Sequence, residues 1–172
     1  MGADRQPGPL TLGEDDRRVL ATWAADCAER TLPLFEAQAP DDRRPRDALE
    51  GLRAFARGER RIGELRALSA QAHAAARDVT EPAAVAAARA AGQAAAVAHM
   101  AAHARGVVYA VVAAGLASPQ NPAAGLEEAR WQLDHASPEV REVLRRLPPP
   151  PKGPGTLPRL IRDLYAGLER SE

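Results

Sequence analysis

The chain has 172 residues and a mass of 18.3 kDa, enough for one domain that buries its own core and too little for two of full size. Its 23 basic and 23 acidic residues cancel, which excludes a protein whose main task is to coat nucleic acid or an anionic membrane. The single cysteine, Cys27, excludes an intrachain disulfide framework; with no basic-then-apolar leader at the start, a cytoplasmic protein is expected.

Alanine fills 39 positions, and every basic residue except Lys152 is arginine. Ala, Leu, Arg, Glu and Gln are strong helix formers, whereas the β-branched and aromatic residues that suit strands are scarce and do not alternate. The expectation is an all-α, single-domain antiparallel bundle of about six to seven helices. The Ala-rich stretch 83–117 is interrupted by Arg89, Gln93, His99, His103 and Arg105, so no segment reads as membrane-spanning.

In chain order, residues 1–10 read as a disordered tail, because two glycines, two prolines and few apolar residues do not repay ordering. A first helix is predicted over 13–29, with Glu14, Asp15 and Asp16 at its electropositive start and Val19, Leu20, Trp23 and Cys27 at core spacing. Thr31 and Pro33 either restart a helix, with Thr31 as its cap, or kink a continuing one. A second helix covers 45–57 and stops at Gly58; a third covers 62–78 and carries His73. Thr80-Glu81-Pro82 is a start signal for a helical run to residue 117, about 55 Å if unbroken, with Gly92 or Gly106 as the expected break. Helices over 123–135 and 138–147 close the bundle, which spans 11–147. A Pro/Gly-rich linker at 148–156 then tethers an amphipathic helix over 157–172, placed to dock on its own bundle or to exchange in a homodimer.

Two groups of residues invite a chemical reading. His99 and His103 stand four apart, the spacing of helical zinc pairs, although no glutamate lies between them as a zincin requires. They are weak metal candidates, and no cofactor is expected. As buried, hydrogen-bonded rings they would fix helix register. Lining a pocket with His73 and Tyr109, they would supply a cofactor-independent enzyme with a histidine general acid or base. Trp23, Asp26, Cys27, Glu29 and Arg30 form the second group, with Asp26 and Arg30 spaced for an i,i+4 ion pair and Cys27 read as a buried thiol.

Three separated stretches also look alike to a known family: 20–36, with Trp23, Cys27 and Glu29; Ala90-Ala91-Gly92-Gln93 leading to His99 and His103; and 127–133, with Trp131 and Gln132. Together, over about 16–147, they resemble the helical immunity proteins related to immunity protein five of bacterial polymorphic toxin systems. That resemblance implies a bacterial, cytoplasmic, all-helical protein that neutralises a cognate toxin by direct binding. Its pattern falls on Trp23, Cys27, Glu29, His99, His103, Trp131 and Gln132 as partner-binding or family-motif positions. The linker after 147 and the helix that follows depart from it. The alternative is the small-molecule enzyme or ligand-binding protein with the histidine-lined pocket.

Overall fold

The computed structural model describes residues 8–150 and 152–170; most of the expected tail, residues 1–7, lies outside them. The described chain is helical, with no residue in a strand. Its α-helices are α1 (Glu14–Glu29), α2 (Leu32–Glu36), α3 (Arg44–Ala56), α4 (Ile62–Asp78), α5 (Pro82–Ala96), α6 (Val108–Ala117), α7 (Ala124–Asp134), α8 (Pro138–Arg145) and α9 (Thr156–Arg170); a 3-10 segment (Ala101–Val107) precedes α6. The bundle is as expected in class and divided into more pieces.

Local chemistry explains most boundaries. Within the expected start signal, Glu81 caps α5 by accepting from the Ala84 N–H at 2.6 Å, with Pro82 in the first turn. Ser137 does the same for α8 at 3.2 Å. Thr31 does not cap α2; its hydroxyl donates back to the Ala28 carbonyl at 3.3 Å. Gly58 ends α3 with φ +82°, the left-handed conformation that favours glycine.

Helix α5 is the centre of the bundle, touched by α1, α2, α3, α4 and α6. Its alanines are buried on all sides and only Pro82 and Arg89 are exposed, the composition of a helix enclosed by others. The main core gathers Leu20, Trp23, Leu49, Leu52, Phe55 and Leu65 around it, and a second cluster collects Phe35 with Ala75, Ala87 and Ala113. Helix α9 packs on α6 and α7 of its own chain with Leu164 buried, and an apolar cleft of about 640 Å³ lies between the three helices.

The continuous run expected over 82–117 is broken, and at neither glycine. Helix α5 ends at Ala96, Met100 is extended (φ −155°, ψ 113°), and the 3-10 segment follows. A break in mid-run frees backbone groups that must find partners elsewhere. They find them on the segment before α1: the N–H groups of Ala101 and Ala102 donate to the carbonyls of Thr11 (3.2 Å) and Leu10 (2.9 Å). Arg17, buried at 6% exposure, completes the seam by donating from Nε to the Ala98 carbonyl (2.9 Å) and from NH1 to that of Leu12 (2.7 Å). Leu12 sits at φ +53° to aim that carbonyl.

Candidate functional site

The structure sorts the residues singled out above into two places. The first is the corner where α1 meets α7. Trp23 is nearly buried and its indole N–H donates to the Gln132 carbonyl at 3.0 Å. The fully buried Gln132 side chain donates from Nε2 to the Val107 carbonyl (3.1 Å) and to Glu128 Oε1 (3.2 Å). Glu128, 5% exposed, accepts on its other oxygen from Arg30 Nε at 2.7 Å. A buried carboxylate is tolerable only when paired and hydrogen-bonded in this way.

The ion pair expected between Asp26 and Arg30 does not form. Arg30 is drawn across to Glu128, while Asp26 and Glu29 both accept from Arg53 NH2, at 2.8 and 2.6 Å. Interhelical partners win because they satisfy a buried carboxylate, whereas an exposed i,i+4 pair is worth only a few tenths of a kcal/mol. The Arg30 guanidinium lies 4.0 Å from the centroid of the Trp131 ring, and His135 stacks on that ring at 3.8 Å with an 18° tilt. Asp26, Glu29, Arg30, Trp131 and His135 line a shallow depression of about 310 Å³. Cys27 lies behind it, fully buried; burial first, and then the Glu128 and Asp26 carboxylates, push its thiol well up, so it holds little of the thiolate that nucleophilic chemistry needs.

The second place lies where α4, α5 and the 3-10 segment meet. His99 and His103 do not project from one α-helical face. His99 belongs to the turn after α5 and His103 to the 3-10 segment, yet the fold brings their ring centroids to 5.1 Å with a 57° tilt. His73, from α4, rests on Gly92, where a Cβ would stand 2.8 Å from the ring. Gln93 packs into the space left by Gly106, and its Oε1 accepts from His103 Nδ1 at 2.8 Å. With the carboxamide oxygen facing the ring, this pairing uses the Nδ1–H tautomer of His103. The two glycines that the sequence marks as breaks are instead the seats of the histidine cluster.

All three imidazoles are held neutral. Burial lowers His73, helped by Arg89 and Arg77; burial lowers His99, helped by Arg66 and Arg17. His103 is pushed down to about 4 by burial and then by His99 and His73. The His99 Nδ1 is buried with no hydrogen-bond partner among the described residues. Tyr109 is half-buried against the main core. The expected pocket of His73, His99, His103 and Tyr109 has no counterpart in the 640 Å³ cleft, whose lining includes Val111, Leu116, Leu126 and Leu160 and no histidine. Among the described residues no group of three or more His, Cys, Asp or Glu side chains is arranged to hold a metal ion.

Glu128 and Arg30 are the residues that sequence reasoning passed over as a pair. The available signal was the i,i+4 spacing of Glu128 and Gln132, which puts both on the face of α7 that carries the motif.

The family model described as Imm-5 like putative immunity protein matches residues 10–139. The chain belongs to that family. The match covers α1 to the start of α8, and therefore both the α1–α7 corner and the histidine cluster, while α9 lies beyond it. No curated protein and no solved structure matches the chain. No helix among the described residues is long and apolar enough to cross a membrane.

Proposed function

We propose that this member of the Imm-5 like family is a bacterial, cytoplasmic binding protein that neutralises a cognate toxin by occupying it directly, and that the α1–α7 corner is the surface it presents. The observation that carries the reading is the support of Trp131. Its ring is held by the Arg30 guanidinium and by His135 over a shallow depression, and Arg30 is itself fixed by the buried Glu128. Tryptophan and arginine dominate binding energy at protein interfaces, and an anchor already held in one conformation loses little entropy on docking. Glu29 borders the same depression, and Trp23, Cys27 and Gln132 act from beneath it as positioning residues.

The histidine cluster is a weaker setting for general-base catalysis. His103 at about 4 has little proton affinity at neutral pH, its partner Gln93 is uncharged, and the neighbours of the other two rings are cationic. The test of the binding reading is calorimetry of the purified chain against the toxin encoded beside its gene, together with growth rescue on co-expression. The expected result is one-to-one binding that Trp131→Ala weakens by about 2 kcal/mol or more, with rescue lost in parallel. Unchanged affinity in Trp131→Ala removes the corner from the interface, and absence of binding by the wild type removes the reading.

A further inference from the structure

We propose that the face made by α4, the exposed edge of α5 and the histidine cluster docks a carboxylate-rich segment of a partner protein, with Arg66, Arg77 and Arg89 making the contacts. The inference goes beyond toxin binding at the α1–α7 corner and does not rest on it.

Charge distribution is the first ground. Residues 65–77 and 82–126 contain no Asp or Glu, in a chain with 23 of them. Elsewhere arginines are commonly paired with carboxylates, Arg53 with Asp26 and Glu29, Arg44 with Asp42 and Asp78, and Arg146 with Asp16; exposed Arg130 on α7 has no such pair among the described residues but stands apart from this face. Arg66, Arg77 and Arg89 are exposed and enter no ion pair among the described residues. Arg77 only donates to the His73 carbonyl, at 3.1 Å.

Geometry is the second ground. Arg66, His73 and Arg77 follow one another at seven and four residues, so they share one stripe of α4. Arg89 lies one turn before Gly92, on which His73 rests. Arg66 acts on His99, Arg89 and Arg77 act on His73, and both of those rings act on His103. The three guanidinium groups and three imidazoles thus form one connected field in which no carboxylate acts on any of the three rings; the buried Arg17, which joins it from α1, is itself answered by Glu14 and Asp16.

The dimensions choose the ligand class. Arg66 and Arg77 are separated by about 16 Å along the helix, too far to share one phosphate and matched to an extended acidic segment of about five residues. Guanidinium groups receive carboxylates with two parallel hydrogen bonds. Burial is the main cause of the lowered His73 and His99 values and the cationic neighbours the lesser one; an arriving carboxylate offsets the lesser cause and so shifts both rings upward. Nucleic acid is the less suitable partner because residues 56–108 contain no Phe, Trp or Tyr on which a base could stack.

The probe is a fluorescein-labelled decaglutamate peptide, followed by fluorescence anisotropy with the full chain at low salt and at about 0.5 M salt. Expected is salt-sensitive binding that R66Q/R77Q/R89Q weakens by roughly ten-fold or more, while R57Q/R130Q/R145Q, which removes the same net charge, stays within about two-fold. Trp131→Ala also leaves it unchanged, which separates this surface from the corner. In NMR titrations the peptide raises the midpoints of His73 and His99. The proposal is overturned if the wild type ignores the peptide at low salt, if both triple variants lose affinity alike, or if a single-stranded oligonucleotide of equal charge displaces the peptide more effectively than unlabelled decaglutamate does.

Discussion

The α1–α7 corner and the α4–α5 face handle charge in opposite ways. At the corner each charge is answered from a neighbouring helix: Glu128 by Arg30, and Asp26 and Glu29 by Arg53. On the α4–α5 face Arg66, Arg77 and Arg89 have no carboxylate, and the imidazoles beside them are kept neutral. The corner is therefore rigid before any partner arrives and offers shape and an aromatic anchor. The other face is incomplete alone and offers long-range attraction, which governs association rate and salt dependence more than stability.

If the α4–α5 face takes its shape from the seam that breaks the central run, the largest effect belongs to Arg17. Arg17→Met removes the donor that satisfies the Ala98 and Leu12 carbonyls in a buried setting, and unsatisfied buried carbonyls cost about 1–3 kcal/mol each. We expect a loss of about 3 kcal/mol in urea denaturation and faster amide exchange at Ala101 and Ala102. Unaltered exchange there would mean that the 3-10 segment holds its form without the N-terminal stitch.

Next in size is Gly106→Ala. The added Cβ would overlap Gln93 Cβ and stand 2.6 Å from Cγ, atoms at the base of a side chain that cannot swing aside. A cost of about 2 kcal/mol follows from overpacking, together with loss of the Gln93–His103 hydrogen bond, visible as a changed His103 titration. Gly92→Ala is milder, since the obstructing atoms belong to the far end of His73. Equal costs at the two glycines would contradict this reading of the cluster.

These residues also mark what the sequence makes legible. Apolar spacing, Pro82, Pro138 and Gly58 are local signals, and they located α1, α3, α4, α8 and the start of α5. The break after Ala96 is invisible to such reasoning, because it depends on hydrogen bonds between residues about ninety positions apart. Helix periodicity carried straight across it and gave His99 and His103 a shared α-helical face that they do not have, although they do meet in space. Likewise the i,i+4 rule paired Arg30 with Asp26, whereas the buried Glu128 on α7 is the stronger attraction. The motif residues were recognisable; their division into two surfaces depends on tertiary contacts.

Acid sharpens the contrast at an intermediate magnitude. The His103 pKa is lower in the folded chain, about 4, than the 6.5 of the free side chain. The unfolded chain therefore gains a proton first as pH falls. Stability from this group is complete above about pH 6.5 and declines towards pH 4. After discounting for partial exposure, about 1–2 kcal/mol is lost between pH 6.5 and 5, and His73 and His99, both lowered, add in the same direction. His103→Gln is expected to flatten that part of the stability profile measured by urea titration. A profile as steep as wild type would move the acid sensitivity out of the cluster.

The smallest effect separates the two regions most directly. Arg53 bridges Asp26 and Glu29 across two helices with its side chain 26% exposed, a shared pair in partly excluded water, so Arg53→Gln should cost about 0.5–1 kcal/mol and less at high salt. Arg66→Gln removes a guanidinium that has no carboxylate to lose and that helps to keep His99 neutral. Its stability should stay within about 0.5 kcal/mol of wild type, while the titration midpoint of His99 rises. Matched urea curves for the two variants, run at low and high salt, read both quantities. A cost for Arg66→Gln equal to that for Arg53→Gln would show that the α4–α5 arginines are already neutralised within the chain. A difference between them means that their charge is held for something outside it.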